Sequence, residues 1–253
     1  MDKIIVSIVT TVKNSEKTII DAIQSVNSQT YKNIEHIVIN AVSTDKSLDI
    51  INKNIREFSL VISEADSGIY DGLNKGILRS CGDIVGILHS DDVYAYNEVI
   101  EDVVNIFATK DINLLFADIE YVSQRNRNKI IRRWISGPYN SKKLAIGWMP
   151  PHPTIFFRKS LADELGLYDL RFSISSDYDF ILRYFLESRV KVYYLPKIIT
   201  KMRVGGISNN SIANIIKKST EDYKILKKNN VGGICTLLLK NLRKLNQFTY
   251  SNK

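Results

Sequence analysis

Four consecutive residues, His89-Ser90-Asp91-Asp92, follow an apolar run at 84–88 that reads as a buried strand of a parallel sheet. Two adjacent carboxylates at a strand end repel each other and lose water. A hard divalent cation, Mn²⁺ or Mg²⁺, removes that conflict by taking carboxylate oxygens as ligands. In open α/β sheets ligands bind beyond the carboxyl ends of the strands, so the tetrapeptide stands where a metal–phosphate site is expected. The same residues also fit a polar turn with a helix cap at Asp92. A further carboxylate, Asp177, opens an amphipathic stretch in Ser175-Ser176-Asp177-Tyr178-Asp179. With Ser176 as cap it stands at the first helical position, where the helix dipole favours its charge. It is either part of the cap or a general base for a substrate hydroxyl.

Other polar residues punctuate the strand ends. Thr10, Thr11 and Asn14 lie between a first strand and a first helix, where small polar groups either bind a nucleoside or cap the helix. Neither GxGxxG nor GxxxxGK[ST] is present, which argues against a dinucleotide oxidoreductase and a P-loop kinase. Asp66, Asp71 and Lys75 surround a short helix. Asp71 and Lys75 are spaced i, i+4 and fit a surface pair; alternatively Asp66 meets a base or ribose and Lys75 a phosphate. His152 lies between prolines in a segment expected to be extended. It is a structural histidine or, with Trp148, a contact for an acceptor. His89 is a metal ligand or a neighbour of one. The basic run from Arg125 to Arg133 reads as a solvated hairpin.

The elements that must position these residues alternate in the first half. Strands are expected at 4–11, 35–39, 60–63 and 84–88, with helices carrying Ile19, Ala22, Ile23 and Val26, then Leu48, Ile51 and Ile55, then residues 70–78. Four such repeats imply a parallel, doubly wound sheet. The second half is less regular: strands at 114–121, 129–134, 154–157, 190–195 and 198–203, a loop or short helix at 137–149, and a helix after Ser176. From 212 the chain reads as helical with a break at Gly232-Gly233. The domain expectation is a catalytic unit over 1–213 and a basic helical tail over 214–253. That tail holds nine Lys/Arg against two acids, a net of +7, and leaves +1 for the rest. An anionic surface, either phospholipid or nucleic acid, suits it; a helix pair packed on the body or forming a homodimer suits it equally. The near-neutral body argues against nucleic acid in the main cleft. Two distant cysteines, no signal-peptide pattern and no spanning apolar run point to the cytosol, with peripheral contact at the inner membrane face as an option.

Taken together and in order, residues 7–14, 35–45, 64–76, 82–92, 151–161 and 175–183 resemble family 2 glycosyltransferases of the GT-A fold, of the kind that build bacterial surface polysaccharides. The resemblance spans about 3–207. It implies an α/β, Rossmann-like, mostly parallel central sheet flanked by helices. It also implies an inverting transfer from a nucleotide-diphospho-sugar, UDP first, with Mn²⁺ or Mg²⁺. By resemblance Thr10, Thr11 and Asn14 line the nucleotide pocket, Asp66 meets the nucleoside, and Asp71 and Lys75 line the donor site. Asp92 is the metal ligand with Asp91 beside it or on the ribose, and Asp177 is the base. Arg203 begins a loop that closes near the diphosphate. Two departures stand out: Asn40 where the family commonly has Asp to accept from uracil, and Ser176 where an acid often precedes the base. The alternatives to transfer are an inactive nucleotide-sugar-binding homologue and a sugar nucleotidyltransferase. The latter should carry a glycine-rich basic first loop, which is missing.

Overall fold

The computed structural model describes residues 4–56, 59–205 and 212–243. The chain runs β1 (Val6–Val12), α1 (Ile19–Asn27), β2 (Ile34–Asn40), α2 (Ser47–Asn54), β3 (Leu60–Ser63), α3 (Ile69–Arg79) and β4 (Ile84–Ile87). It continues through β5 (Val93–Tyr94), α4 (Val99–Thr109), β6 (Leu114–Val122), β7 (Ile130–Trp134), β8 (Phe156–Arg158), α5 (Lys159–Leu165), α6 (Ser176–Leu186) and β9 (Val192–Arg203). Two helices follow, α7 (Ile212–Lys228) and α8 (Ile234–Arg243).

These strands form one sheet in the order β3-β2-β1-β4-β8-β6-β9-β5, with β7 beside β6. Strands β1 to β4 are parallel neighbours. The reversed β8 lies between β4 and β6, so β6 and its parallel neighbour β9 run the same way as the first four. Six of the nine described strands therefore share one direction. The carboxyl ends of β1, β2, β3, β4, β6 and β9 gather on one edge of the sheet, and Asp91 and Asp92 lie in the turn that follows β4 there. Strands β5, β7 and β8 are the antiparallel insertions.

Side chains alternate across β1 with the period of 2 that a pleated strand imposes. Ile8 and Val12 enter one core with Ile19, Ala22, Ile23 and Val26 of α1. Val9 enters the other with Leu73 and Ile77 of α3 and Phe180 and Ile181 of α6. Helix α4, which the sequence reading left unnamed, fills the first core with Val99, Ile100, Val103, Val104 and Phe107. The two late strands expected at 190–195 and 198–203 are one strand. Its register shifts where Pro196 lacks an N–H for the ladder. The segment around His152 is not extended: His152–Thr154 is a 3-10 turn, closed by the Thr154 N–H and hydroxyl donating to the Pro151 carbonyl at 3.0 and 2.8 Å.

Helices α7 and α8 pack on the body. Ile225 and Leu226 are buried in the second core, and Glu221, Asp222 and Lys240 are buried with them. Gly232, at φ +97°, makes the turn between the two helices. No helix among the described residues is long and apolar enough to cross a membrane. Gly206, Lys244 and Lys253 lie outside the described residues.

Candidate active site

The turn after β4 is held from three sides. Its own backbone closes it, the Asp92 N–H donating to the His89 carbonyl at 3.0 Å. The Ser90 hydroxyl shares a 2.9 Å hydrogen bond with Ser15 in the loop after β1. Arg203, at the end of β9, donates to the Asp91 carbonyl at 2.6 Å and pairs with Asp21 of α1. Inside this frame Asp92 is fully buried, and neither carboxylate oxygen has a partner. Burial, and then the charge of Asp91, push the Asp92 carboxyl well above the usual carboxylate range, against the pull of Arg203. Buried polar groups are nearly always paired, so an orphaned carboxylate at a strand end marks a place for a ligand.

Asp177 stands one helical position later than its sequence suggests. Ser175 is the cap of α6, Ser176 the first residue and Asp177 the second. Ser176 donates instead to the Asp169 carbonyl at 2.9 Å. Oδ1 of Asp177 accepts from the Tyr70 hydroxyl at 3.1 Å and from the Tyr178 N–H at 2.9 Å. Tyr70 comes from α3, which lies tight on β1. A Cβ at Gly76 would sit 2.3 Å from Val9 Cγ1, and one at Gly72 would sit 2.8 Å from Thr11 Cγ2. Only glycine allows that approach, and the approach carries Tyr70 to the start of α6.

A cluster of rings joins the two acids. The His89 and His152 rings are 6.0 Å apart. His152 Nε2 shares a 2.5 Å hydrogen bond with the Tyr168 hydroxyl, and Tyr168 stacks on Tyr70 at 5.5 Å. Burial pushes both histidines down, His152 to about 4, while the charge of Asp177 pulls back on both. His152 is therefore a neutral imidazole near pH 7. Tyr121, at the end of β6, is pushed up by burial; its Arg132 neighbour opposes this, and the charges of Asp92 and Asp177 add to it.

Several predicted residues do other work. Thr10 is buried on the α1 side of β1, and its hydroxyl, expected at a nucleotide, shares a 3.0 Å hydrogen bond with His36. The Thr11 methyl packs against α3. Asn14, at φ +51°, accepts from the Thr44 N–H at 2.8 Å. Asn40 donates to Ser63 at 2.8 Å and accepts from the Ser43 hydroxyl at 2.6 Å and N–H at 3.3 Å. The carbonyl expected to meet a base is thus taken by Ser43, and Asn14 and Asn40 brace the loops after β1, β2 and β3. Asp66 accepts from the Gly68 N–H at 3.2 Å and Asp71 from the Ser67 N–H at 2.9 Å. Lys75 lies 3.4 Å from Asp71 and 3.3 Å from Glu64, so the i, i+4 pair is present. Trp148, expected at the acceptor, has its indole buried against Phe116 and Phe185, and Nε1 donates to the Ser136 carbonyl at 2.9 Å. No linear pattern in the sequence marks Tyr70, Tyr121 or Tyr168, because Tyr70 meets an acid 107 residues away.

Residues 7–166, more than half of the chain, match the profile of Glycosyl transferase family 2. The chain belongs to that family. An uncharacterized glycosyltransferase of Mycobacterium tuberculosis is 33% identical over 184 residues, covering 70% of this chain and 68% of that protein. Among solved structures, S. aureus TarS 1-349 in complex with UDP-GlcNAc superimposes with a TM-score of 0.67 at 17% identity, over 90% of this chain and 66% of that one. Glucosyl-3-phosphoglycerate synthase from M. tuberculosis in complex with Mn²⁺, UDP and phosphoglyceric acid gives 0.64 at 16% identity, over 91% and 79%. These likenesses establish the fold as GT-A, the family expected from the ordered motifs. Family 2 membership makes the chain a glycosyltransferase and sets aside the nucleotidyltransferase reading.

Proposed function

We propose that this family 2 glycosyltransferase moves a hexose or N-acetylhexosamine, with inversion, from a UDP-sugar to a hydroxyl of a lipid-linked or glycan acceptor, with Mn²⁺ or Mg²⁺ as cofactor. One observation carries the reading: both oxygens of Asp92 are buried and unpartnered in the turn after β4, and from His89 of that turn a run of rings, His152, Tyr168 and Tyr70, leads to Asp177. The donor set fits a hard divalent cation, because Asp92 offers two buried oxygens with Asp91 adjacent. Among the described residues no group of three His, Cys, Asp or Glu forms a full ligand cage. A site that shares its cation with substrate phosphates uses only one or two carboxylates, so none is needed. When bound by Asp92, the cation would supply positive charge against the departing diphosphate.

The remaining chemistry belongs to this chain's own side chains. Tyr70 engages Oδ1 of Asp177, which leaves Oδ2 for the acceptor. Asp177 takes the acceptor hydroxyl proton as that oxygen attacks the anomeric carbon. The new glycosidic bond forms on the face opposite the breaking bond to the diphosphate, so the anomeric configuration inverts. His152, neutral and fixed by Tyr168, serves the acceptor side as a hydrogen-bonding group. The uridine choice is supported by the UDP and UDP-GlcNAc held by the two structural relatives. A screen of UDP-, GDP- and dTDP-sugars for Mn²⁺-dependent thermal stabilisation tests the reading, because a specific ligand raises stability by mass action. Stabilisation by a UDP-sugar only with the cation is the expected result. No response to any nucleotide-sugar, with or without cation, overturns it.

A further inference from the structure

Glu221 of α7 is buried at 7% exposure, yet among the described residues it makes no ion pair. Its carboxylate is met instead by the segment that leads into α6. Oε1 accepts from the Ser173 N–H and hydroxyl, both at 3.1 Å, and Oε2 accepts from the Ile174 and Ser175 N–H groups, both at 2.9 Å. Three successive backbone N–H groups thus converge on one carboxylate, an arrangement that binds anions. Ser175 is the cap of α6 and makes no side-chain capping bond of its own. Glu221 therefore provides the negative charge that the start of α6 favours, from another helix.

The same segment is gripped from the opposite side. The Tyr70 hydroxyl, 2.8 Å from the Ile174 carbonyl and 3.1 Å from Asp177 Oδ1, is shared between the two. The Ile174 residue is therefore held at its N–H by α7 and at its carbonyl by α3, three residues before Asp177. Further along the same interface, Asp222 pairs with buried Lys240 at 2.8 Å, and that ammonium lies 3.3 Å from the centre of the Tyr178 ring. Lys228 lies 2.8 Å from Asp179. Helix α7 thus engages residues before and after Asp177, and α8, tied to α7 through Asp222, covers Tyr178.

We propose that Glu221 is a positioning residue for the transfer reaction: it fixes the 173–175 segment so that Asp177 meets the acceptor hydroxyl. The proposal rests on Asp177 being the base. It makes α7 part of the catalytic framework. The backbone N–H groups of 173–175 cannot all be satisfied by a neutral amide, so Glu221→Gln loosens the segment while keeping side-chain volume.

The test uses the full chain as wild type, Glu221→Gln, Glu221→Asp and Asp177→Asn. UDP release from UDP-GlcNAc with Mn²⁺, water taking the place of the acceptor hydroxyl, gives kcat and KM; calorimetry with UDP and Mn²⁺ reports on the donor pocket. Hydrogen exchange at 173–175 reports on the clamp itself. Glu221→Gln should lower kcat by ~10²-fold, the scale of loss for misplacing a reacting group by about 1 Å. Its UDP affinity should stay within about twofold, because no donor-side contact changes. Amide exchange at 173–175 should accelerate while exchange in α1 stays as in wild type, and Glu221→Asp should fall between the two. A fully active Glu221→Gln beside an inactive Asp177→Asn removes the proposal alone. A fully active Asp177→Asn removes the base assignment and the proposal with it. Should Glu221→Gln not fold, unchanged exchange at 173–175 and unchanged kcat in Glu221→Asp overturn the proposal.

Discussion

Asp92 and Asp177 are both acids of the candidate site, but their surroundings differ. Asp177 is half-buried, hydrogen-bonded by Tyr70 and the backbone, and reachable. Asp177→Asn keeps shape and removes the proposed base, so transfer should fall ~10²–10⁴-fold with donor affinity little changed; steady-state kinetics with calorimetry measures both. Asp92 is buried without partners and its carboxyl is pushed up, so ionising it works against folding as pH rises above the ordinary carboxylate value. Asp92→Asn should therefore melt no lower than wild type in cation-free buffer at pH 8. The same variant should lose cation-dependent stabilisation by nucleotide-sugar. A lower melting temperature without cation would recast Asp92 as a structural residue. Asn40 shows the limit of reading one position at a time. Its type suggested a base contact, whereas its hydrogen bonds run to Ser43 and Ser63.

At the scale of elements, α3, α6 and α7 converge on one short segment. Helix α3 approaches β1 because Gly72 and Gly76 leave no side chain between them. Helix α6 is buried nearly all round, from Tyr178 to Phe185. Helices α7 and α8 are joined to it through Asp222 and Lys240, which are 97% and 96% buried at the side chain. Burial pushes Lys240 down, and Asp222 holds it charged. Lys240→Met leaves Asp222 buried and uncompensated, which should cost about 3–5 kcal/mol of unfolding free energy. The double variant with Asp222→Asn should recover much of that loss in a denaturant titration. The strands of the first half were legible because β-branched runs alternate with amphipathic stretches. Helix α4 was equally legible in its 99, 100, 103, 104, 107 spacing, and was passed over because it follows the acid pair without a break.

For the whole molecule, one sheet with six co-directional strands brings six strand ends to one edge, and burial of polar groups within the sheet makes stability depend on pH. His36 is fully buried against Thr10, and burial lowers it to about 4 from an unfolded value near 6.5. Between those values the unfolded chain binds the extra proton, so stability is present above pH 6.5 and falls as pH drops towards 4. The loss should be about 3 kcal/mol from this one group. Chemical denaturation at pH 7 and pH 4.5 should show a smaller drop for His36→Gln. The outer face of the C-terminal helices carries exposed Ile215, Ile216, Leu238 and Leu242 among its lysines. Such a face suits an anionic bilayer, with ~1 kcal/mol from each nearby cation. Wild type should float with anionic liposomes and an Ile216→Ser, Leu238→Ser variant should float less. Deleting 214–253 is the wrong comparison, because it also removes Glu221 from the segment before Asp177.

The sequence by itself determined the family, the GT-A sheet, the acid pair after β4 and the acid at the start of α6. Those are local: a strand end, a helix start and their order along the chain survive without knowing what touches what. Tertiary structure alone decided which side chains are already spent. Thr10 and Asn40 bond within the fold and Trp148 lies in a core, because strand alternation and loop packing direct them inward. It alone brought Tyr70 and Glu221, distant in sequence, to the segment that carries Asp177. Hydrogen bonds between remote elements leave no spacing in a sequence, so the acids could be read there, and the frame that aims them could not.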